Sequence, residues 1–345
     1  MEKFNKNIID IIGNTPIVKL NKICNNIKSE LYVKLEYLNP GGSIKDRMGV
    51  YICQKAQEKG EIKPGGIIIE STSGNTGVGI AIFSAINGYK CIFVMADKQS
   101  KEKINNLRAY GAKVIVCPTN VEPEDPKSYY SVAAKLAKLP NSIYLDQYSN
   151  LDNSECHYKQ TGPEIFKQTE GKFDTLVASI GTGGTISGCS KYLKSKMPKL
   201  KTIAVDCEGS IITDYFKSKK FIKAKSYLLE GIGEDFIPKN INFKYIDDFE
   251  MVNDKDSFLM TRKMLRKEGI YAGGSCGATV LGAINYAKKL KKPEKILIIL
   301  PDSGNRYASK LYNDNWMIDN GFIQKNNKKD SLDIQIDKIL NNEKI

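Results

Sequence analysis

Three stretches of the sequence set reactive or anion-binding groups where a turn hands over to a helix. NPGGSIKDR (39–47) opens on two glycines and a serine, then places Lys45 at the start of a helical pattern. An ammonium is ordinarily kept in water, so a lysine at this junction asks for a chemical reason. IGTGGT (180–185) follows the apolar run TLVAS and precedes ISGCSKYLK. A glycine-rich strand-to-helix turn aims backbone N–H groups and the positive end of a helix dipole at one point, which suits a phosphate. Gly181, Gly183 and Gly184 leave the backbone bare, and Thr182 and Thr185 add hydroxyl donors. The turn lacks the nucleotide-triphosphatase pattern and the spacing of a dinucleotide fingerprint. It suits one small phosphate, the alternative being glycines that serve only the tight turn.

ESTSGNTGVG (70–79) is a second such turn, after GIIIE. Thr72, Ser73, Asn75 and Thr76 gather hydroxyls and an amide at a helix start, which favours a carboxylate. Capping by Ser73 or Asn75 is the alternative, but four polar side chains exceed what one cap requires. YAGGSCGAT (271–279) leads into a further helix, with Ser275 at its centre. The sequence thus offers a phosphate anchor, a carboxylate anchor and a lysine at a turn–helix junction, and a lysine of low enough pKa can form an imine with an aldehyde and then shuttle protons.

The elements that must position these groups are legible as an alternation. Strands are predicted at 31–36, 66–70, 91–96, 113–117, 175–180, 202–207 and 295–300. Helices are predicted near 44–59, 75–87, 99–110, 126–138, 154–168, 184–196, 254–268 and 276–290. Apolar strands alternating with amphipathic helices indicate an α/β fold with largely parallel sheets flanked by helices. Two such series imply two domains with a cleft between them. The partition expected is a smaller domain over 38–145, a larger one from 1–37 and 146–320, and a polar tail over 321–345.

Composition narrows the function classes. The net charge of +13 comes from 52 basic residues interspersed with 39 acidic ones. The loose lysine clusters carry no interleaved aromatics, so nucleic acid is not the expected partner. No apolar run approaches a membrane span and the N-terminus does not read as a signal peptide, which makes a cytoplasmic protein the default. The eight cysteines form no C-x-x-C pair and His157 is the lone histidine, so no metal site is expected.

With these residues in view, the chain resembles the fold-type II pyridoxal-phosphate enzymes of the cysteine synthase/cystathionine β-synthase family. The likeness runs from IIGNTPIVKL (11–20) to PDSGNRYASKLYNDNWM (301–317). KLEYLNPGGSIKDR, ESTSGNTG, EGIGEDFIP and PDSGNRY are most similar to a cystathionine β-synthase catalytic core without haem extension or regulatory module. The resemblance implies pyridoxal 5′-phosphate bound as an imine to Lys45. Asn75 would bond its phenolic oxygen, Gly181 to Thr185 its phosphate, and Ser275 its pyridine nitrogen. Thr72, Ser73, Thr76 and Gln147 would hold the substrate carboxylate.

The activity so implied is β-replacement on small amino-acid substrates, L-cysteine or L-serine, with sulfide released from cysteine. Water, cysteine or homocysteine would enter second. The alternatives are an O-acetylserine sulfhydrylase, a serine/threonine dehydratase, and a non-catalytic scaffold that binds cysteine derivatives. Cystathionine β-synthases usually carry an aromatic residue after EGIG, where this chain has Glu234. That carboxylate could act as a base, pair with the ammonium of an incoming amino acid, or simply be solvated. His157 is expected to be structural, and the resemblance implies a homodimer.

Overall fold

The computed structural model describes residues 4–122, 124–325 and 331–340. Its strands are β1 (Ile17–Lys19), β2 (Glu30–Leu35), β3 (Ile67–Ser71), β4 (Lys90–Ala96), β5 (Lys113–Cys117), β6 (Ser142–Tyr144), β7 (Thr175–Ser179), β8 (Lys201–Cys207), β9 (Asp248–Val252) and β10 (Lys295–Leu300). The helices are α1 (Lys45–Glu58), α2 (Asn75–Asn87), α3 (Lys101–Ala109), α4 (Tyr129–Leu136), α5 (Asp152–Cys156), α6 (Gly162–Thr169), α7 (Gly184–Lys196), α8 (Ile212–Ser218), α9 (Asp254–Glu268), α10 (Gly274–Lys289), α11 (Asp314–Asp319) and α12 (Ser331–Leu340). One sheet has the order β1-β2-β10-β7-β8-β9 and the other β5-β4-β3-β6. All neighbours pair in parallel except β1, which lies antiparallel to β2. The α/β fold with parallel sheets is therefore as expected.

Strand side chains alternate between faces, and both faces of the larger sheet are covered. β10 sends Ile296, Ile298 and Leu300 into a core with Phe258 and Met264 of α9 and Val280 of α10. Its Leu297 and Ile299 enter a second core with Ile165 of α6 and Ile186 and Leu193 of α7. Each such burial contributes on the order of 1.5–3 kcal/mol relative to exposure, which is why KILIIL reads as a continuous apolar run. In the smaller sheet, Ile68 and Phe93 pack with Met48 and Ile52 of α1 and Val78 and Ile82 of α2. Ile69 and Val94 face α4.

Three strands and the helices α8, α11 and α12 lie outside the predicted elements. β1 and β6 are three residues each, and β1 is largely exposed at the sheet edge. β9 holds Glu250 in mid-strand because Lys289 meets both carboxylate oxygens at 2.7 Å. The helix predicted over 154–168 is split by a π-turn at His157–Thr161, where the Gly162 N–H reaches back to the His157 carbonyl. Pro163, in the first turn of α6, has no N–H for an α-helical bond. We propose that the domain partition follows the two sheets. Residues 326–330 and 341–345 of the tail lie outside the described residues.

Candidate active site

Lys45 opens α1, immediately after a turn fastened to the end of β10 by the Ile44 N–H and Pro301 carbonyl at 2.8 Å. Helix α2 crosses this turn closely: a Cβ on Gly79 would lie 2.6 Å from the Lys45 carbonyl. Two residues on, buried Arg47 donates to Glu36 at 2.8 Å and to Glu164 at 2.7 Å. The backbone of Lys45 is thus held on two sides. Its ammonium makes no hydrogen bond and no ion pair among the described residues. Burial lowers its pKa, opposed by the charges of Asp302 and Glu234, and a lowered pKa favours the free amine that forms imines.

A narrow cavity of about 30 Å³ beside Lys45 is lined by Ser179, Gly181, Thr182, Gly183 and Thr185. The chain passes from β7 into α7 here, with Gly183 at φ +83°. A Cβ at Gly183 would meet Ile241 at 2.3 Å, and one at Gly184, the first residue of α7, would meet Asn153 at 1.9 Å. Only bare backbone fits. Thr182 Oγ1 accepts from Asn153 Nδ2 at 3.1 Å. Thr185 Oγ1 lies 3.2 Å from His157 Nε2, and His157 Nδ1 lies 2.9 Å from Thr161 Oγ1. Burial, with Lys45 and Arg47 nearby, drives the His157 pKa well down, so a neutral ring backs the turn. Larger hollows exist, one lined by Arg262, Leu265, Arg266, Tyr271 and Tyr312, but that one holds none of these groups.

The turn before α2 spends none of its polar side chains on capping that helix. Its N-cap is Gly74, without a side-chain acceptor. Thr72 Oγ1 accepts from the Gly74 N–H at 2.9 Å, and Thr76 Oγ1 donates to Gln147 Oε1 at 2.6 Å. Gln147 Nε2 in turn donates to the Ser71 carbonyl at 2.8 Å. Asn75 Nδ2 donates to Asp302 Oδ2 at 2.9 Å while its Oδ1 accepts from Arg306 Nη1 at 2.8 Å, which leaves one amide hydrogen uncommitted. Ser275 is buried in the first turn of α10. Its neighbour Cys276 donates from Sγ to the Asp302 carbonyl at 3.3 Å.

A contrast among helix starts marks the site. Helices α3, α4, α9 and α11 are capped by Ser100, Ser128, Asn253 and Asn313. Helices α2, α7 and α10 have glycine N-caps and no side-chain cap bond. Helices α1, α5, α6 and α8 also lack a side-chain cap bond, so it is the glycine turn that sets α2, α7 and α10 apart, and first-turn N–H groups beside bare backbone suit an anion.

Glu234 stands apart from both turns, half-buried on the loop that follows Gly231. Tyr130 donates to its Oε2 at 3.5 Å and Tyr129 to the Tyr130 hydroxyl at 2.5 Å. Phe236 lies edge-on to Tyr130 and Tyr148, with ring centres 5.6 and 5.3 Å away. Burial and the neighbouring Asp235 push the Glu234 pKa up to about 8, against Lys98 and Tyr130.

The structure thus brings Lys45, Gly181, Thr182, Gly183 and Thr185 to one cavity. Asn153 joins that cavity to the second turn by a further bond to the Gln147 carbonyl at 2.8 Å. Sequence reasoning missed Asn153, which reads as an ordinary polar residue in LDNSEC. It also gave no role to Asp302, Arg306 and Tyr307, although PDSGNRY stood out as a motif.

Pyridoxal phosphate needs an amine free to form an imine, donors for one phosphate, and a polar group near its ring. Unpaired Lys45, the bare Gly181–Thr185 backbone and the spare hydrogen of Asn75 fit those needs. Comparison with known proteins agrees. A family profile described as pyridoxal-phosphate dependent enzyme matches residues 8–302. The cystathionine beta-synthase of Apis mellifera is 47% identical over 325 residues, 93% of this chain and 64% of that one. The chain therefore spans less than two thirds of that relative. The cysteine synthase of Staphylococcus aureus is 40% identical over 304 residues, covering 88% of this chain and 95% of that enzyme. The crystal structure of a hydrogen sulfide-producing enzyme from Fusobacterium nucleatum superposes with a TM-score of 0.82 at 36% identity, over 88% of this chain and 100% of that one. The chain belongs to the pyridoxal-phosphate dependent enzymes, in the branch that holds the cystathionine beta-synthases and cysteine synthases.

Proposed function

We propose that the chain catalyses β-replacement on L-cysteine or L-serine, releasing hydrogen sulfide when cysteine is the first substrate. The second substrate is water, cysteine or homocysteine, and the product serine, lanthionine or cystathionine. When bound, pyridoxal phosphate supplies the electron sink that acidifies the Cα proton. Thr72, Ser73, Thr76 and Gln147, with the N–H groups opening α2, hold the substrate carboxylate. Gly181 to Thr185 would hold the cofactor's phosphate, and Asn75 and Ser275 would donate to its ring substituents. Lys45 Nζ takes the Cα proton while the Cβ substituent departs with its bonding pair. It returns that proton once the new bond to Cβ has formed. The overall exchange swaps one Cβ substituent for another with no net oxidation.

The observation that carries this reading is the unpaired Lys45 Nζ at a cavity with an uncapped glycine turn. Relatives named for cystathionine and cysteine synthesis, and a neighbour named for hydrogen sulfide production, support sulfur chemistry. Glu234, which accepts from Tyr130 of the Tyr130–Tyr148–Phe236 ring cluster, supports an amino acid as second substrate. Aromatic faces and a carboxylate both attract its ammonium. We further take the enzyme to act on small amino acids as a cytoplasmic homodimer; no helix among the described residues is long and apolar enough to cross a membrane.

The test is to supply the holoenzyme with cysteine, serine or O-acetylserine, alone and with homocysteine or sulfide, and to identify products by mass. Sulfide with serine, lanthionine or cystathionine is the expected outcome. Turnover only with O-acetylserine and sulfide would instead establish the sulfhydrylase reading, which the Staphylococcus aureus relative favours.

A further inference from the structure

Glu230 lies one residue before Gly231 and is buried. Its Oε2 accepts from Lys103 Nζ and its Oε1 from Lys310 Nζ, each at 2.6 Å. Burial alone would raise the Glu230 pKa, but the two lysines outweigh it and hold the carboxyl below its ordinary range. Lys103, on α3, is only 1% exposed, which is rare for a lysine. Its ammonium lies 4.6 Å from the centre of the Tyr307 ring. Its stem packs on Gly74, where a Cβ would be 3.0 Å from Lys103 Cβ. Gln99, in the amide orientation that satisfies its neighbours, donates to Glu230 Oε2 at 2.8 Å and to the Ser73 carbonyl at 3.3 Å.

The other side of Glu230 leads to the cofactor cavity. Gly231 lines it, and the Gly233 N–H donates to the Ile180 carbonyl at 2.8 Å. One buried carboxylate is therefore tied to the Ser73–Gly74 turn through two side chains, and to the Lys45 cavity and Glu234 through its own loop. Two cations on that carboxylate leave one net positive charge in the wall behind the turn. Buried charge is little screened by salt, and it adds to the dipole opening α2.

We propose that Lys103 and Glu230 are positioning residues: the pair fixes the Thr72–Thr76 turn where it meets the substrate carboxylate and keeps the 231–234 loop in register with it. This rests on reading that turn as the carboxylate site.

Lys103→Met keeps the stem on Gly74 and leaves Glu230 paired with Lys310. Lys310→Met removes the same charge from the same carboxylate on the more exposed side, where the Lys310 side chain is 20% accessible. Each holoenzyme is titrated with L-alanine, which has no leaving group, by following cofactor absorbance, and its melting temperature is recorded. Lys103→Met should weaken alanine binding about tenfold and raise KM more than it lowers kcat, as expected for loss of one buried charged contact. Lys310→Met should have a clearly smaller effect. Equal weakening in both variants, or unchanged binding in Lys103→Met whatever its melting temperature, overturns the inference. Thr76→Ala separates the two readings. If it too leaves alanine binding intact, the carboxylate site itself is misplaced; if it alone weakens binding, only the role of Lys103 and Glu230 fails.

Discussion

Asn153 holds Thr182 by a hydrogen bond of 3.1 Å, and the same nitrogen donates to the Gln147 carbonyl at 2.8 Å. One amide thereby sets the spacing between the phosphate turn and the carboxylate turn. Asn153→Ala should weaken pyridoxal-phosphate affinity roughly tenfold, in line with about 1–1.5 kcal/mol for lost hydrogen bonds, and should raise KM for the first substrate. Equilibrium titration of the apoenzyme with the cofactor checks the first effect; unchanged affinity would mean the two turns are spaced by packing alone.

Lys45 offers the sharpest separation of chemistry from stability. Because its ammonium makes no bond among the described residues, Lys45→Ala removes reactivity without breaking a polar contact. Turnover should fall by at least about 10³-fold, the range set by loss of a positioned acid–base group. The imine absorbance should vanish while the melting temperature of the apoenzyme stays close to that of the parent.

Glu234 predicts a pH dependence. With its pKa near 8, the carboxyl becomes a base only as pH rises through that value. The rate of the second half-reaction should therefore climb around pH 8, and Glu234→Gln should flatten the climb while sulfide release from cysteine persists. Stability moves the other way. The folded pKa lies above the ordinary 4.5, so the native state binds the extra proton. The contribution is complete below pH 4.5 and is lost as pH rises through about 8. Melting of Glu234→Gln relative to the parent should accordingly improve with pH across that window. A constant offset would place the carboxyl in water.

The buried ion cluster behind Lys45 carries a separate prediction. Arg47 is held by Glu36 and Glu164, and Glu164 also meets Lys34 at 2.6 Å. Burial would raise the Glu164 pKa, yet Arg47 and Lys34 hold it at about 2. Arg47→Met leaves buried Glu36 with only Lys34, at 3.8 Å, as counter-charge and should cost about 3 kcal/mol, read as a lower urea midpoint at neutral pH. A loss below 1 kcal/mol would show that the cluster relaxes when one member leaves.

Local chemistry was the legible part of this molecule. Glycine turns, the unexplained lysine and strand–helix alternation are written in consecutive residues, so Lys45, Thr182 and the parallel sheets could be read directly. The contacts that fix them are not local. Asn75 meets Asp302 across 227 positions and Lys103 meets Glu230 across 127, and no short window contains both partners. Glu250 hid β9 for the same reason, since its neutralising Lys289 arrives from α10. The π-turn at His157–Thr161 was signalled only by Pro163, which a helix can also accept in its first turn.

The packing of α1 has a mechanical consequence. Met48 and Ile52 bind that helix to the core of the smaller sheet, whereas the Gly181–Thr185 turn grows from β7 of the larger one. The Ile44 N–H is also tied to the Pro301 carbonyl at the end of β10, so α1 already links the two sheets, and a molecule bonded to Lys45 and to that turn would tighten a joint that exists without it. Stripping it out should therefore loosen the joint only locally, so amides of the 181–185 turn and of the first turn of α1 should exchange with solvent faster while those in β7 and β10 do not.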